Sequence, residues 1–155
     1  MTRTRTAPGI LRTGRHPSLA SPRGSRRRVV PLEHESQAGV IQWWTLACKG
    51  YGLPEFALFA VPNGSNKSIA AAMKFKREGL RSGIPDLFLA VPCKHQGAAG
   101  VEFLAAGLFV EMKRRGKKPS PEQEAVILYL RQRAYHVVVC YDSEEAVKAI
   151  KAYLA

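Results

Sequence analysis

Asp86 and Glu111 are acidic residues set beside apolar stretches, Leu87-Phe88-Leu89-Ala90-Val91 and Leu108-Phe109-Val110. Alternate side chains of an extended strand share a face. Glu111 and Lys113 therefore point the same way as Phe109, while Val110 and Met112 point the other way. A carboxylate and an ammonium on an otherwise apolar, central strand cost free energy unless something uses them. If the two strands pair, Asp86 and Glu111 converge on one edge of the sheet. Two converging carboxylates make a hard oxygen site suited to Mg²⁺ or Mn²⁺. Beside a lysine, such a site can cut phosphodiesters. The cation activates water and neutralises charge on the phosphorus, and the ammonium orients the water and stabilises the same charge. The plain alternative is a surface ion pair of Glu111 with Lys113 and a turn at Asp86. Pro85-Asp86 and Glu111-x-Lys113 together are more specific than either pair alone.

The elements that must hold these residues are legible from periodicity and punctuation. Gln37 to Lys49 carries apolar residues at helical spacing (Val40, Ile41, Trp44) and ends at Gly50 and Gly52. Phe56 to Val61 reads as a strand closed by Pro62-Asn63-Gly64. Residues 66–78 read as a helix with Lys67, Lys74, Lys76 and Arg77, closed by Gly79. Ile84 to Val91 is a second strand, with Pro85 tolerated only near its start or on an edge. Residues 92–107 have little periodicity and read as a loop or insertion. Leu108 to Lys113 is a third strand, followed by a basic turn to Pro119. Ser120-Pro121-Glu122-Gln123 opens a helix to about Ala134, with Ser120 as N-cap, Pro121 at the first helical position and Gln123 at the capping-box position. Tyr135 to Tyr141 is a fourth strand. Asp142, with Glu145 three residues on, caps a last helix to Leu154. The order predicts an α/β fold, a small mixed sheet flanked by helices.

The chain of 155 residues has 46% apolar residues and a formal net charge of +12, from 24 Lys and Arg against 12 Asp and Glu. That balance suits one globular domain with a polyanionic partner. The first 32 residues hold eight Arg and no acid, so 16 basic residues face 12 acids in the remainder. We expect residues 1–32 to form a disordered arm, since their Arg, Pro, Gly, Ser and Thr cannot bury enough surface to offset ordering. It reads either as a phosphate-binding arm or as a solvated tail, and its acid-free start shares composition with organelle transit peptides. The domain proper is expected over 33–155. Cys48, Cys93 and Cys140 are odd in number and lack metal-ligand spacing, which points to a reducing compartment without a disulfide framework. No apolar run approaches the ~18 residues of a membrane span, and no secretory h-region is present.

With those residues in place, the chain resembles the PD-(D/E)XK nucleases, and more closely their VRR-NUC branch (virus-type replication-repair nucleases). The matching segments run in order over about 33–145: Glu33-x-x-x-Gln37, Val61-Pro62-Asn63-Gly64, Gly79-Leu80-Arg81-Ser82-Gly83-Ile84-Pro85-Asp86-Leu87, Phe109-Val110-Glu111-Met112-Lys113 and Ser120-Pro121-Glu122-Gln123. The segment from Gly79 to Leu87 is the most specific. The resemblance implies a restriction-endonuclease-like core and a Mg²⁺- or Mn²⁺-dependent DNA endonuclease. It implies that Asp86 and Glu111 bind the metal and that Lys113 positions or activates the attacking water. A first-helix carboxylate completes the cluster; Glu33 fits best, with Glu35 as second choice. Gln123 supports the site, Gln37 can face it, and Asn63 and Gly64 bring backbone near the scissile phosphate. Lone small domains of this family suggest branched DNA, such as a four-way junction, cut by a homodimer. The setting implied is replication, repair or recombination, for instance of a phage, in the cytoplasm of a bacterial or phage-infected host cell.

Lys74 and Lys76, together with Arg114 and Arg115 beside Lys113, are expected to contact phosphates. His34 reads as solvated, and Trp43 and Trp44 as core or interface. Two other readings stay open at this level. One is a non-catalytic nucleic-acid-binding protein; the other is a nuclease subunit that needs a partner for targeting.

Overall fold

In the computed structural model, residues 32–62, 68–96 and 102–155 are described. Nearly all of the expected arm, and Asn63, Gly64 and Lys67, lie outside them. The elements run α1 (Glu33–Ala47), β1 (Leu58–Ala60), α2 (Ile69–Arg77), β2 (Leu87–Leu89), β3 (Cys93–Gln96), β4 (Glu102–Ala105), β5 (Leu108–Met112), α3 (Pro121–Arg131), β6 (His136–Cys140) and α4 (Ser143–Leu154). The order β1-β2-β5-β6 makes a mixed four-stranded sheet. β1 and β5 each pair antiparallel with β2, and β6 joins β5 in parallel through the α3 crossover, a connection that parallel strands require. The fold class is the α/β arrangement expected from the sequence.

One face of the sheet carries the apolar core. Val40 and Trp44 lie one turn apart on α1 with Cys48 a turn further on, just past its end, and Ala146, Ile150 and Tyr153 are spaced alike on α4. Between the helices and the sheet they enclose Leu87, Leu89, Leu108, Val110 and Met112. Side chains alternate along a strand, so Phe88 and Phe109 fall on the opposite face. They are register partners with ring centroids 4.3 Å apart, and Tyr135 stands edge-on to Phe109 at 5.4 Å. Glu111 shares this second face. β5 is thus buried on both sides, as a central strand should be.

Four expectations change. Phe56 and Ala57 are not in the first strand; residues Glu55–Ala57 form a 3-10 turn because the Trp44 indole donates to Glu55 O at 2.8 Å and pins the chain there. Such a partner is what a buried indole N–H needs. The second strand begins only at Leu87. Residues 92–107 are no structureless loop: β3 and β4 pair antiparallel, Cys93 with Ala105 through Gln96 with Glu102, as a separate two-stranded sheet. The Tyr153 hydroxyl ties the base of this hairpin to α4 by donating to Val91 O at 2.8 Å, with Ala105 O at 3.4 Å. The third helix ends at Arg131, short of Ala134, which takes a left-handed φ of 61°. Among the described residues no helix is long and apolar enough to cross a membrane.

Candidate active site

The β2–β5 register sets Leu87 opposite Val110. The residue before β2 therefore arrives beside the end of β5. Asp86 Oδ2 accepts from Met112 N at 2.8 Å, and Asp86 O accepts from Val61 N at 2.8 Å. Lys113 continues the ladder, its N–H donating to Cys140 O at 2.8 Å. These bonds hold Asp86, Glu111 and Lys113 together at one end of the sheet.

Glu111 is fully buried, and its two oxygens differ. Oε1 accepts from Gln123 Nε2 and stands 2.5 Å from Lys113 Nζ. Oε2 is buried with no hydrogen-bond partner. Burial is the main reason the carboxyl is pushed up to about 7; the Lys113 hydrogen bond opposes that shift, and the Asp86 and Glu33 charges add to it. A buried oxygen without a partner costs free energy on the order of 1–3 kcal/mol or more when charged.

Gln123 has little freedom to turn away. Its Oε1 accepts from Ser120 N at 2.9 Å, and its own N–H donates to Ser120 Oγ at 3.3 Å, the capping box expected from the sequence. With the amide oxygen committed to the start of α3, the amide nitrogen is left to face Glu111. A helix cap thereby orients the carboxylate.

A cleft of about 530 Å³ opens over this group, lined by Glu33, Lys76, Arg81, Asp86, Lys113 and Gln123 among others. Its far wall is the segment from α2 to β2. Gly79, at φ 101°, closes α2: Leu80 N donates to Phe75 O at 2.9 Å and Gly79 N to Lys76 O at 3.3 Å. This pairing needs a left-handed residue at Gly79. Gly83, at φ 83°, lets the segment run against the start of α3, where a Cβ would lie 3.1 Å from Glu122 O. Both glycines thus place the wall of the cleft.

The comparisons with known proteins fit this geometry. The family model of the VRR-NUC domain matches residues 25–144, most of the chain. The chain belongs to the VRR-NUC domain family. A solved VRR-NUC domain protein is 28% identical, with a TM-score of 0.60 over 78% of this chain and 86% of that one. No curated protein matches. A VRR-NUC domain implies a nuclease-type function and hence nucleic-acid binding.

Several residues expected from the sequence sit elsewhere in this VRR-NUC domain. Glu35 does not line the cleft: its Oε2 accepts from Leu32 N at 2.8 Å and caps α1, whereas Glu33 lines the cleft and accepts from Arg114 N at 3.1 Å. Lys76 lines the cleft, while Lys74 stands 3.8 Å from Glu78 on the exposed side of α2. Arg115 is engaged with α4, 2.6 Å from Asp142 and 3.2 Å from Glu145. The N–H of Glu145 and the Arg115 guanidinium keep the Asp142 carboxyl below its usual range. Arg114 is exposed, Gln37 half-buried, and His34 exposed. Trp44 is core, and Trp43 is half-buried with Lys151 Nζ 5.7 Å from its ring. Burial pushes the Cys140 thiol up to about 12, so it is no nucleophile. Arg81 was not expected in the site; its place inside the Gly79-to-Asp86 segment was the available signal.

The donor set suits a hard divalent cation. Glu111 Oε2 is a carboxyl oxygen lacking a partner, and Asp86 stands beside it. The expected three-carboxylate cage is not assembled: among the described residues no three His, Cys, Asp or Glu are grouped to hold a metal. Glu33 is drawn instead to the Arg114 N–H. Mg²⁺ commonly takes only one or two carboxylates, with water and phosphate oxygens completing its shell. Glu111 and Asp86 meet that requirement.

Proposed function

We propose that the chain is a Mg²⁺- or Mn²⁺-dependent DNA endonuclease. The observation that carries this reading is the buried Glu111, one oxygen clamped by Gln123 and Lys113 and the other without a partner, beneath a cleft with Lys76 and Arg81 in its wall. Glu111 and Asp86 would hold the cation. When bound, it supplies neutralisation of phosphate charge and acidification of water. Lys113 orients the attacking water and stabilises negative charge on the phosphate as it develops. Gln123 fixes the angle of Glu111 without taking a proton. Lys76, Arg81 and the exposed Arg114 attract the phosphate backbone.

Branched DNA is the favoured substrate in this reading, on the family resemblance. Symmetric cutting of a junction suits a two-fold pair of chains, and Leu46 and Phe56, 85% and 80% exposed, offer apolar surface for pairing. Three free thiols suit a reducing cytoplasm, bacterial or phage-infected. The test is cleavage of duplex, flap and four-way substrates with and without Mg²⁺. Cutting that needs Mg²⁺ or Mn²⁺ and is lost in Glu111→Ala supports the reading. Activity in excess EDTA overturns it.

A further inference from the structure

Helix α2 has nine residues, none of them buried. Its body-facing side is Ala71 and Phe75, both half-buried, with Phe75 lining one hollow together with Val61, Pro62, Leu80 and Ile84. Ala72 and Lys76 line the cleft over Asp86. Residues at i, i+4 and i+7 share one stripe of a helix, so Ile69 and Met73 lie on the stripe that ends at Lys76. They are 83% and 63% exposed. An apolar strip therefore runs from the rim of the cleft out along α2.

We propose that the Ile69–Met73 face receives an unpaired or unstacked nucleotide next to the strand held in the cleft, a deeper statement of the endonuclease reading, on which it rests. Phosphates need only cations, and α2 supplies those separately in Lys74, Lys76 and Arg77. Ile and Met at a nucleic-acid surface work differently, by lying against a base or wedging between base steps. Paired bases in a regular duplex keep those faces stacked, while a strand leaving a branch or a single-stranded tail exposes them. Charge selects the occupant. The three cations on α2 meet one acid, Glu78. A second copy docked through the same patch would set cations against cations, since a two-fold interface is self-complementary. A polyanion with exposed bases complements both parts of the surface.

The test uses the full chain in EDTA, where binding is read without cleavage. Forked DNA carrying 2-aminopurine at the branch is compared with duplex of the same length. The wild type should prefer the fork. Ile69→Ala/Met73→Ala should cut that preference about 5- to 100-fold, the range for losing one base contact, and leave duplex affinity within about twofold. Met73→Phe, which keeps an apolar face, should keep the preference. Equal preference in the double variant, or no fork preference in the wild type, overturns the proposal. So does sedimentation showing that the double variant splits a dimer that forms without DNA. A wild type that prefers forks but cuts nothing with Mg²⁺ removes the endonuclease reading and leaves the surface assignment standing.

Discussion

Helices α4 and α2 are built on one plan and serve opposite ends. Each starts from a capping side chain, Asp142 bonded to Glu145 N and Ser68 to Ala71 N. Each has an apolar stripe at the same spacing. On α4 the stripe is Ala146, Ile150 and Tyr153, at most 2% exposed; on α2 it is Ile69 and Met73, open to solvent, with the cation Lys76 at the next position. Periodicity says which side chains share a stripe. It does not say what covers them. On α4 the sheet and α1 do, so that stripe belongs to stability. On α2 only the stripe's last position, Lys76, lines the cleft and the rest is bare, which is why the proposed nucleotide contact gives that stripe to function.

If labour is divided this way, stability and activity should separate under mutation. Glu111→Ala should lower cleavage on the order of 10³-fold, read in single-turnover assays. Its folding stability should change less, because the loss of the carboxylate that pairs Lys113 and Gln123 is offset in part by removal of a buried oxygen without a partner, and Lys113 opens on the cleft. Ile150→Ala should cost about 2–5 kcal/mol in urea unfolding, with activity per folded molecule kept; a loss in Glu111→Ala as large would break the comparison.

A third expectation concerns pH. Glu111 holds its proton more tightly when folded, with a pKa of about 7 against 4.5. The folded state then binds more protons between these values, so this group's contribution falls as pH rises from 4.5 to 7, by about 3 kcal/mol, and is fully present only below 4.5. Unfolding of metal-free protein across that window should show the slope, and Glu111→Gln should flatten it. Smaller still, Ser120→Ala should cost about 1 kcal/mol of stability, since Gln123 N loses its acceptor, and should leave kcat nearly unchanged, since Ser120 N still holds the Gln123 amide oxygen; Ser120→Thr should restore the stability. The smallest effect is Met73→Ala, within about 0.5 kcal/mol in unfolding.

What could be seen in the sequence depended on how local its cause is. The start of α3 is a four-residue signal, and Ser120 with Gln123 forms the capping box it announces. The strand patterns of 84–91 and 108–113 were equally plain, although β2 is shorter. The β3–β4 hairpin was hidden, because Pro92, Gly97, Gly100 and Gly107 broke the alternation that marks a strand. The roles of Glu33 and Glu35 could not be divided by spacing. Both sit in the first turn of α1, and what separates them is a non-local N–H from Arg114 and a local one from Leu32. Spacing likewise could not show that the fold would bring Asp142 to Arg115. Isolated side chains were readable where neighbours in sequence decide their partners, and not where neighbours in space do.

The bond between Gln123 and Glu111 also has a topological effect. It closes the chain between them into a hoop, fastened at the floor of the cleft. Arg114, Arg115, Lys117 and Lys118 all lie on that hoop. Arg115 braces it against α4 and Glu33 against α1. The positive charges of the turn are therefore carried on a closed, tethered rim rather than on a free strand. Residues added at Gly116, whose surroundings are open, would enlarge the hoop and leave its fastening in place. A longer rim would reach further from the sheet while the carboxylate it hangs from stayed put.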